Sequence, residues 1–219
     1  MALLSAVAAR PGFARDPLWD QLPWDERMGL SWYEVQGAKG DAEAQFRAAR
    51  LYELGIDTQI DYEAARQWYK RAAEQGHAQA SFRLALMLQE GRGGARDLAR
   101  AAELYQVAAA ADIAPAKYNL AVLKQLGIGV PQDPGGAVAL YREATKDGYA
   151  PAAVGMAQLL AVGWEGRPAE PVTALAWAIR AETMGAPDAS ALRRQLEAGL
   201  SEGERAEARQ MAKNAVRKD

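Results

Sequence analysis

Residues 40–77 read GDAEAQFRAARLYELGIDTQIDYEAARQWYKRAAEQGH, and the columns of this stretch return every 36 residues along the chain. Tyr33, Tyr69, Tyr105 and Tyr141 stand 36 residues apart, and Trp177 falls on the next multiple. Glycines recur at Gly40, Gly76 and Gly148, with Asp112 in the matching slot, and a second set runs Gly55, Gly91, Gly127 and Gly163. Alanines repeat at Ala44, Ala80, Ala116 and Ala152, and again at Ala49, Ala85, Ala121 and Ala157. Acids occupy Asp25, Asp61, Asp97 and Asp133. A period of this length marks a fold made by stacking one small unit, each burying its apolar face against its neighbours. In the fourth unit a residue is inserted within the Pro/Gly-rich stretch 163–171, so that Ala169 stands where Asp is expected. The acid then moves to Glu170 and the terminal glycine to Gly185.

The second unit gives the local physics. Ala80, Leu84, Ala85 and Leu88 fall at helical spacing over residues 78–90, which predicts an amphipathic helix closed by Gly91. Asp97 is an N-cap for a second helix from Leu98, which carries Ala101, Ala102, Leu104, Tyr105 and Ala108 inward and ends near Asp112. In the third unit Pro134 follows Asp133, and proline at the first helical position costs no hydrogen bond. Small residues in the alanine columns let helices approach closely. The aromatic column wedges between successive pairs. The expectation is all-α: a right-handed superhelical solenoid of antiparallel helix pairs with a 36-residue repeat.

The motif AxAxxxLAxxxxxG, a loop, then DxxxAxxxYxxAAxxG resembles the Sel-one-like repeat (SLR), a relative of the tetratricopeptide repeat. The resemblance covers about four units, residues 25–185, and is specific for fold and nearly silent on activity. It implies bacterial regulatory or assembly roles, in which such repeats bring partners together or hold them inactive. The chain divides accordingly. Residues 1–24 are an amino-terminal segment or cap, and 25–199 the repeat array. The array holds a half unit at 25–39, units near 40–75, 76–111, 112–147 and 148–184, and an atypical unit from 185. Residues 200–219 form a capping helix.

At the amino-terminal end a helix is expected from Asp25 to Gly37, and Leu18, Trp19 and Leu22 are placed to cover the half unit. At the other end residues 187–198 form a first helix, and Ser201 with Glu204 makes a capping box for the last. Lys213, Arg217 and Lys218 suit that helix's carboxyl-terminal dipole. Half of the 219 residues are apolar, and the formal charge is -2, which leaves no electrostatic footprint for nucleic acid. There is no cysteine. No apolar run reaches the ~20 residues of a membrane span. Residues 1–9 lack a leading basic residue, which favours a cytoplasmic protein; a periplasmic one follows if they are cleaved as a signal.

Catalysis has little to rest on. His77 is the lone histidine and sits at a unit start, where a structural role is expected. No cofactor and no metal are expected. Gly127-Ile-Gly129 and Gly91-Arg-Gly-Gly94 are loop punctuation, without the strand or GK[ST] ending of a phosphate loop. Glu43, Glu53, Glu63 and Glu103 fall on expected solvent faces.

Binding has more support. First helices line the concave side of stacked pairs. Their outward positions are Arg47, Arg50 and Glu53, then Arg83, Leu86 and Gln89, then Asn119, Val122 and Gln125, followed by Gln158. Arg47, Arg83 and Asn119 share one column, a line of donors suited to an acidic peptide, helix or tail; the competing reading is plain solvation. Trp164 and Trp19 are either contact residues or tucked under their own loops. The function expected is a non-catalytic scaffold, adaptor or regulatory subunit binding a protein partner through the concave face. The alternatives are a cell-envelope assembly factor or an enzyme with an unrecognised site.

Overall fold

The computed structural model describes residues 29–216. Among them are eleven α-helices and no strand. These are α1 (Leu30–Ala38), α2 (Ala42–Leu54), α3 (Tyr62–Glu74), α4 (Ala78–Glu90), α5 (Leu98–Ala110) and α6 (Ala114–Leu126). They continue with α7 (Pro134–Lys146), α8 (Ala150–Val162), α9 (Pro171–Thr183), α10 (Ala189–Ala198) and α11 (Glu202–Val216). Every helix from α2 to α9 has 13 residues.

Caps set these lengths. The carboxylates of Asp61, Asp97 and Asp133 accept the backbone N–H three residues on, at 2.9, 2.9 and 2.8 Å. Each satisfies one of the orphan donors of a helix start. Gly91 ends α4 in the left-handed conformation (φ 74°), its N–H returning to Met87 O. Backbone bonds then close each hairpin at the same place: Asp61 N–H to Tyr52 O, Asp97 to Leu88 O, and Asp133 to Lys124 O. In the fourth repeat Glu170 N–H reaches Leu160 O at 2.8 Å, so the loop between them absorbs the inserted residue. Glu170 makes no side-chain cap, because its carboxylate is held by Arg167 at 2.8 Å.

The described residues fall into two compact units, 29–116 with 128–131, and 117–127 with 132–216. In the first, α2 pairs with α3 and α4 with α5, while α1 packs on α2 and α3 on α4. Its core holds Phe46, Tyr69, Phe82 and Tyr105 among buried alanines. In the second, α7 and α9 pack on α8, and α10 and α11 pack on α9. Its core centres on Tyr141, Met156, Leu159 and Leu160. The alanines of the repeat columns are fully buried there, as close helix approach requires.

Two sequence expectations change. The inserted residue shifts α9 so that the position eight after its N-cap, which is Tyr69, Tyr105 and Tyr141 elsewhere, is Ala178. Trp177 therefore stands one place earlier, in the column of Trp68, Leu104 and Leu140. The helix expected from Asp25 begins at Leu30. Gly29 is extended (ψ 174°) ahead of it, as suits a residue of low helix propensity. The Leu30 N–H meets Asp57 Oδ2 instead. Trp24, Asp25, Arg217 and Lys218 lie outside the described residues.

Candidate partner-binding surface

Of the side chains assigned to binding, Arg47, Arg50 and Arg83 belong to the first unit, and Asn119, Gln158 and Trp164 to the second. Trp19 lies outside the described residues. Arg47 stays partly exposed on α2, its side chain 36% accessible, and donates from Nε to Glu43 Oε1 at 2.7 Å. Gln158 is exposed on α8.

Arg83 and Asn119 are buried, contrary to the line of open donors expected from their spacing with Arg47, and so is Arg50, expected at an outward position. So are Leu86, Gln89 and Val122. The cause is visible in α4, where every residue from Ala80 to Gln89 is buried, so the helix has no solvent face for an apolar period to reveal. Arg50 and Arg83 instead sit within electrostatic reach of the buried Tyr69 hydroxyl. Burial, followed by the like charges of Arg83 and Arg47, pushes the Arg50 guanidinium down to about 10.

Glu53, expected on a solvent face, is 7% exposed and lies at the centre of this group. Its carboxylate accepts the Tyr69 hydroxyl at 2.7 Å and Arg92 Nη1 at 2.8 Å. Burial first, and the Glu53 charge second, hold the Tyr69 phenol well above its ordinary value. The same bond recurs as Tyr105 Oη to Gln89 Oε1 (2.9 Å), and in the second unit as Tyr141 Oη to Gln125 Oε1 (2.8 Å). A Glu or Gln two residues before each loop glycine and 16 before each tyrosine is the signal that carries this bond. The fourth repeat has Ala161 and Ala178 there, losing donor and acceptor together.

A second joint links the ends of two of the hairpins. Gln75 Nε2 donates to Gln45 Oε1 at 2.7 Å, and in the second unit the buried Lys117 donates to Asp147 Oδ2 at 2.7 Å. Trp164 is half-buried, packed on the cluster around Met156 and Leu160, with the Arg167 guanidinium 5.2 Å from its ring. Its backbone pairs with that of Arg167 in both directions, so the loop is a closed turn. His77 is the N-cap of α4. Its Nδ1 accepts Ala80 N–H at 3.2 Å, its ring stacks on Phe46, and Nε2 faces Glu43 Oε2 at 3.1 Å. Accepting through Nδ1 places the ring proton on Nε2, directed at Glu43. Among the described residues no three His, Asp or Glu side chains gather as metal ligands, and no helix is long and apolar enough to cross a membrane.

Hairpins of 13-residue helices at a fixed 36-residue register define a tetratricopeptide-like helical repeat protein. The Sel1 repeat model matches residues 42–77, 78–113, 114–149 and 150–185, and the chain belongs to that family. Sel1 repeat proteins are generally protein-interaction scaffolds and typically non-catalytic. Similar solved structures include a protective antigen of uropathogenic Escherichia coli strains displaying an SLR fold (27% identity, TM-score 0.75). That match covers 86% of this chain and 40% of the antigen, so the chain spans less than half the antigen's length. A Sel1 repeat protein from Oxalobacter formigenes shares the fold at 24% identity and TM-score 0.71, with 85% of this chain and 76% of that one covered. Comparison with curated proteins returns no match.

Proposed function

We propose that this protein is a non-catalytic scaffold or adaptor that receives an acidic segment of a protein partner at α2, with Arg47 as the point of contact. The observation that carries this is the crowding of positive charge on α2 and α4. Arg47 lies at the surface, and the buried Arg50 is depressed by burial and by the charges of Arg83 and Arg47. An acidic side chain arriving beside Arg47 offsets that repulsion.

A synthetic peptide of alternating Glu and Leu tests the reading against its Lys-for-Glu counterpart. The acidic peptide should bind at low salt and weaken as salt rises, and Arg47→Glu should weaken it about tenfold, chiefly through the association rate. The melting temperature should hardly move, because Arg47 is partly exposed and its partner Glu43 is a surface residue. Equal binding of both peptides, or an Arg47→Glu protein that binds like the wild type, would sink the proposal.

A further inference from the structure

His77 stands where α2, α3 and α4 meet, and its two ring nitrogens have different roles. Nδ1 accepts the Ala80 N–H at 3.2 Å and so caps α4, while Nε2 lies 3.1 Å from Glu43 Oε2 on α2. The other oxygen of that carboxylate accepts Arg47 Nε at 2.7 Å. Glu43 is thus shared between the histidine and the arginine of the proposed contact. The imidazole stacks on Phe46 with centroids 4.6 Å apart, and its side chain is only 17% accessible, so it has little room to turn away from the helix start. From α3 it meets backbone, its own N–H donating to Ala72 O. From α4 come the Ala80 N–H and the Ser81 hydroxyl, which donates to His77 O. The charges facing the ring are therefore Glu43 and, one step behind it, Arg47, whose guanidinium lies 5.9 Å from the Tyr33 ring of α1. Burial raises the Glu43 carboxyl, but hydrogen bonds from His77 and Arg47 outweigh it and hold the group below its ordinary value, so it stays ionised.

We propose that His77 is a proton-driven switch for the Arg47 contact: a proton taken up on Nδ1 releases the cap of α4 and adds one positive charge beside Arg47, which tightens the hold on an acidic segment. This regulation rests on the Arg47 contact proposed above. Both effects have one cause. Nδ1 has a single lone pair, so a proton there turns an acceptor into a donor aimed at another donor, the Ala80 N–H. A cation at a helix start also opposes the helix dipole. Meanwhile Nε2–H keeps Glu43, now as an ion pair, and competes with Arg47 for the carboxylate. With a neutral ring the charges of Arg47 and Glu43 cancel, and with a charged ring the cluster is left positive. Histidine is the side chain that changes charge between about pH 5 and 8. The matching N-cap of α2 is Asp41, a carboxylate acceptor with no ring proton to exchange.

His77 is the chain's one histidine, so ring titration reports this site alone. In nitrogen-15 NMR of the full chain, the ring should show the Nε2–H tautomer at about pH 8, and the Ala80 amide signal should move with the ring nitrogens as the pH falls to about 5. His77→Asn keeps a capping acceptor without a titrating group, and should abolish that movement. The Glu/Leu peptide at low salt should bind wild type about fivefold tighter at about pH 5.5 than at about pH 7.5, measured relative to His77→Asn, which cancels protonation of the peptide itself. An Ala80 amide that ignores the ring titration would overturn the inference. So would an identical pH dependence of peptide binding in wild type and His77→Asn, and that result would leave the Arg47 contact standing. Binding by neither protein at either pH would overturn the Arg47 contact and its regulation together.

Discussion

The Tyr141 hydroxyl donates to Gln125 from a side chain that is almost wholly buried, and this bond separates two kinds of substitution. Tyr141→Phe keeps the ring and strands an amide oxygen, which should cost about 1–3 kcal/mol in denaturant unfolding. Tyr105→Ala removes a fully buried ring in the first unit and should cost about 3–5 kcal/mol. If both variants cost the same, the hydroxyl would be the dominant contribution and the packing account would fail. Glycine offers a second comparison. A Cβ on Gly93 (φ 69°) would stand 2.1 Å from the Tyr62 carbonyl oxygen at the start of α3, whereas one on Gly76 (φ 82°) would meet nothing within 4 Å. Gly76→Ala should therefore cost only the backbone strain of about 1–2 kcal/mol, and Gly93→Ala clearly more. Equal melting temperatures for the two would show that the loop moves freely off α3.

At the scale of single elements, α11 is held by its first turn and by one face. Ser201 and Glu204 form the capping box, with Ser201 N–H donating to Glu204 Oε2 at 2.8 Å. Two hydrogen bonds from Ser201 hold the Glu204 carboxyl below its usual value. Ala208 and Ala212 then bury against Leu175 and Ala176 of α9, together with Leu200. Removing residues 200–219 uncovers that surface. The truncated protein should aggregate, or exchange the amide protons of α9 and α10 faster, without any selective loss of one activity. A monomer of undiminished stability after truncation would deny α11 its capping role.

For the whole molecule, the buried phenols set the response to alkali. A hydrogen bond to Glu34, followed by burial, pushes Tyr52 up to about 12. Burial is the first cause for Tyr69, Tyr118 and Tyr141, all raised. A group whose folded value lies above its unfolded value stabilises the protein fully below the unfolded value, which is 10 for tyrosine. That stabilisation fades as pH rises through the folded value. Unfolding free energy should thus fall from pH 10 upward, over the window from 10 to 12 for Tyr52. Tyr52→Phe should flatten the first part of the decline. A stability curve level to pH 12 would contradict the burial of these groups.

Local chemistry was enough to write the helices into the sequence. Asp61, Asp97 and Asp133 cap, Gly91 terminates, and the alanine columns pack because each property acts within one turn or recurs at one spacing. The repeat therefore reveals itself without coordinates. The inserted residue was legible too, with the shift of the acid to Glu170 and of the terminal glycine to Gly185, but its effect on the aromatic column was not. Only the retained bond from Glu170 to Leu160 decides that the helix slides by one, placing Ala178 and not Trp177 in the tyrosine column. The binding face was the least legible. An apolar period assigns a residue to one side of its own helix, and Arg83 and Glu53 look solvent-facing by that measure. Tertiary packing leaves α4 with no open side, and the Tyr69 hydroxyl, 16 residues along the chain, draws the Glu53 carboxylate inward. Burial of a polar side chain depends on partners that lie far away in sequence, and those partners are fixed only when the hairpins stack.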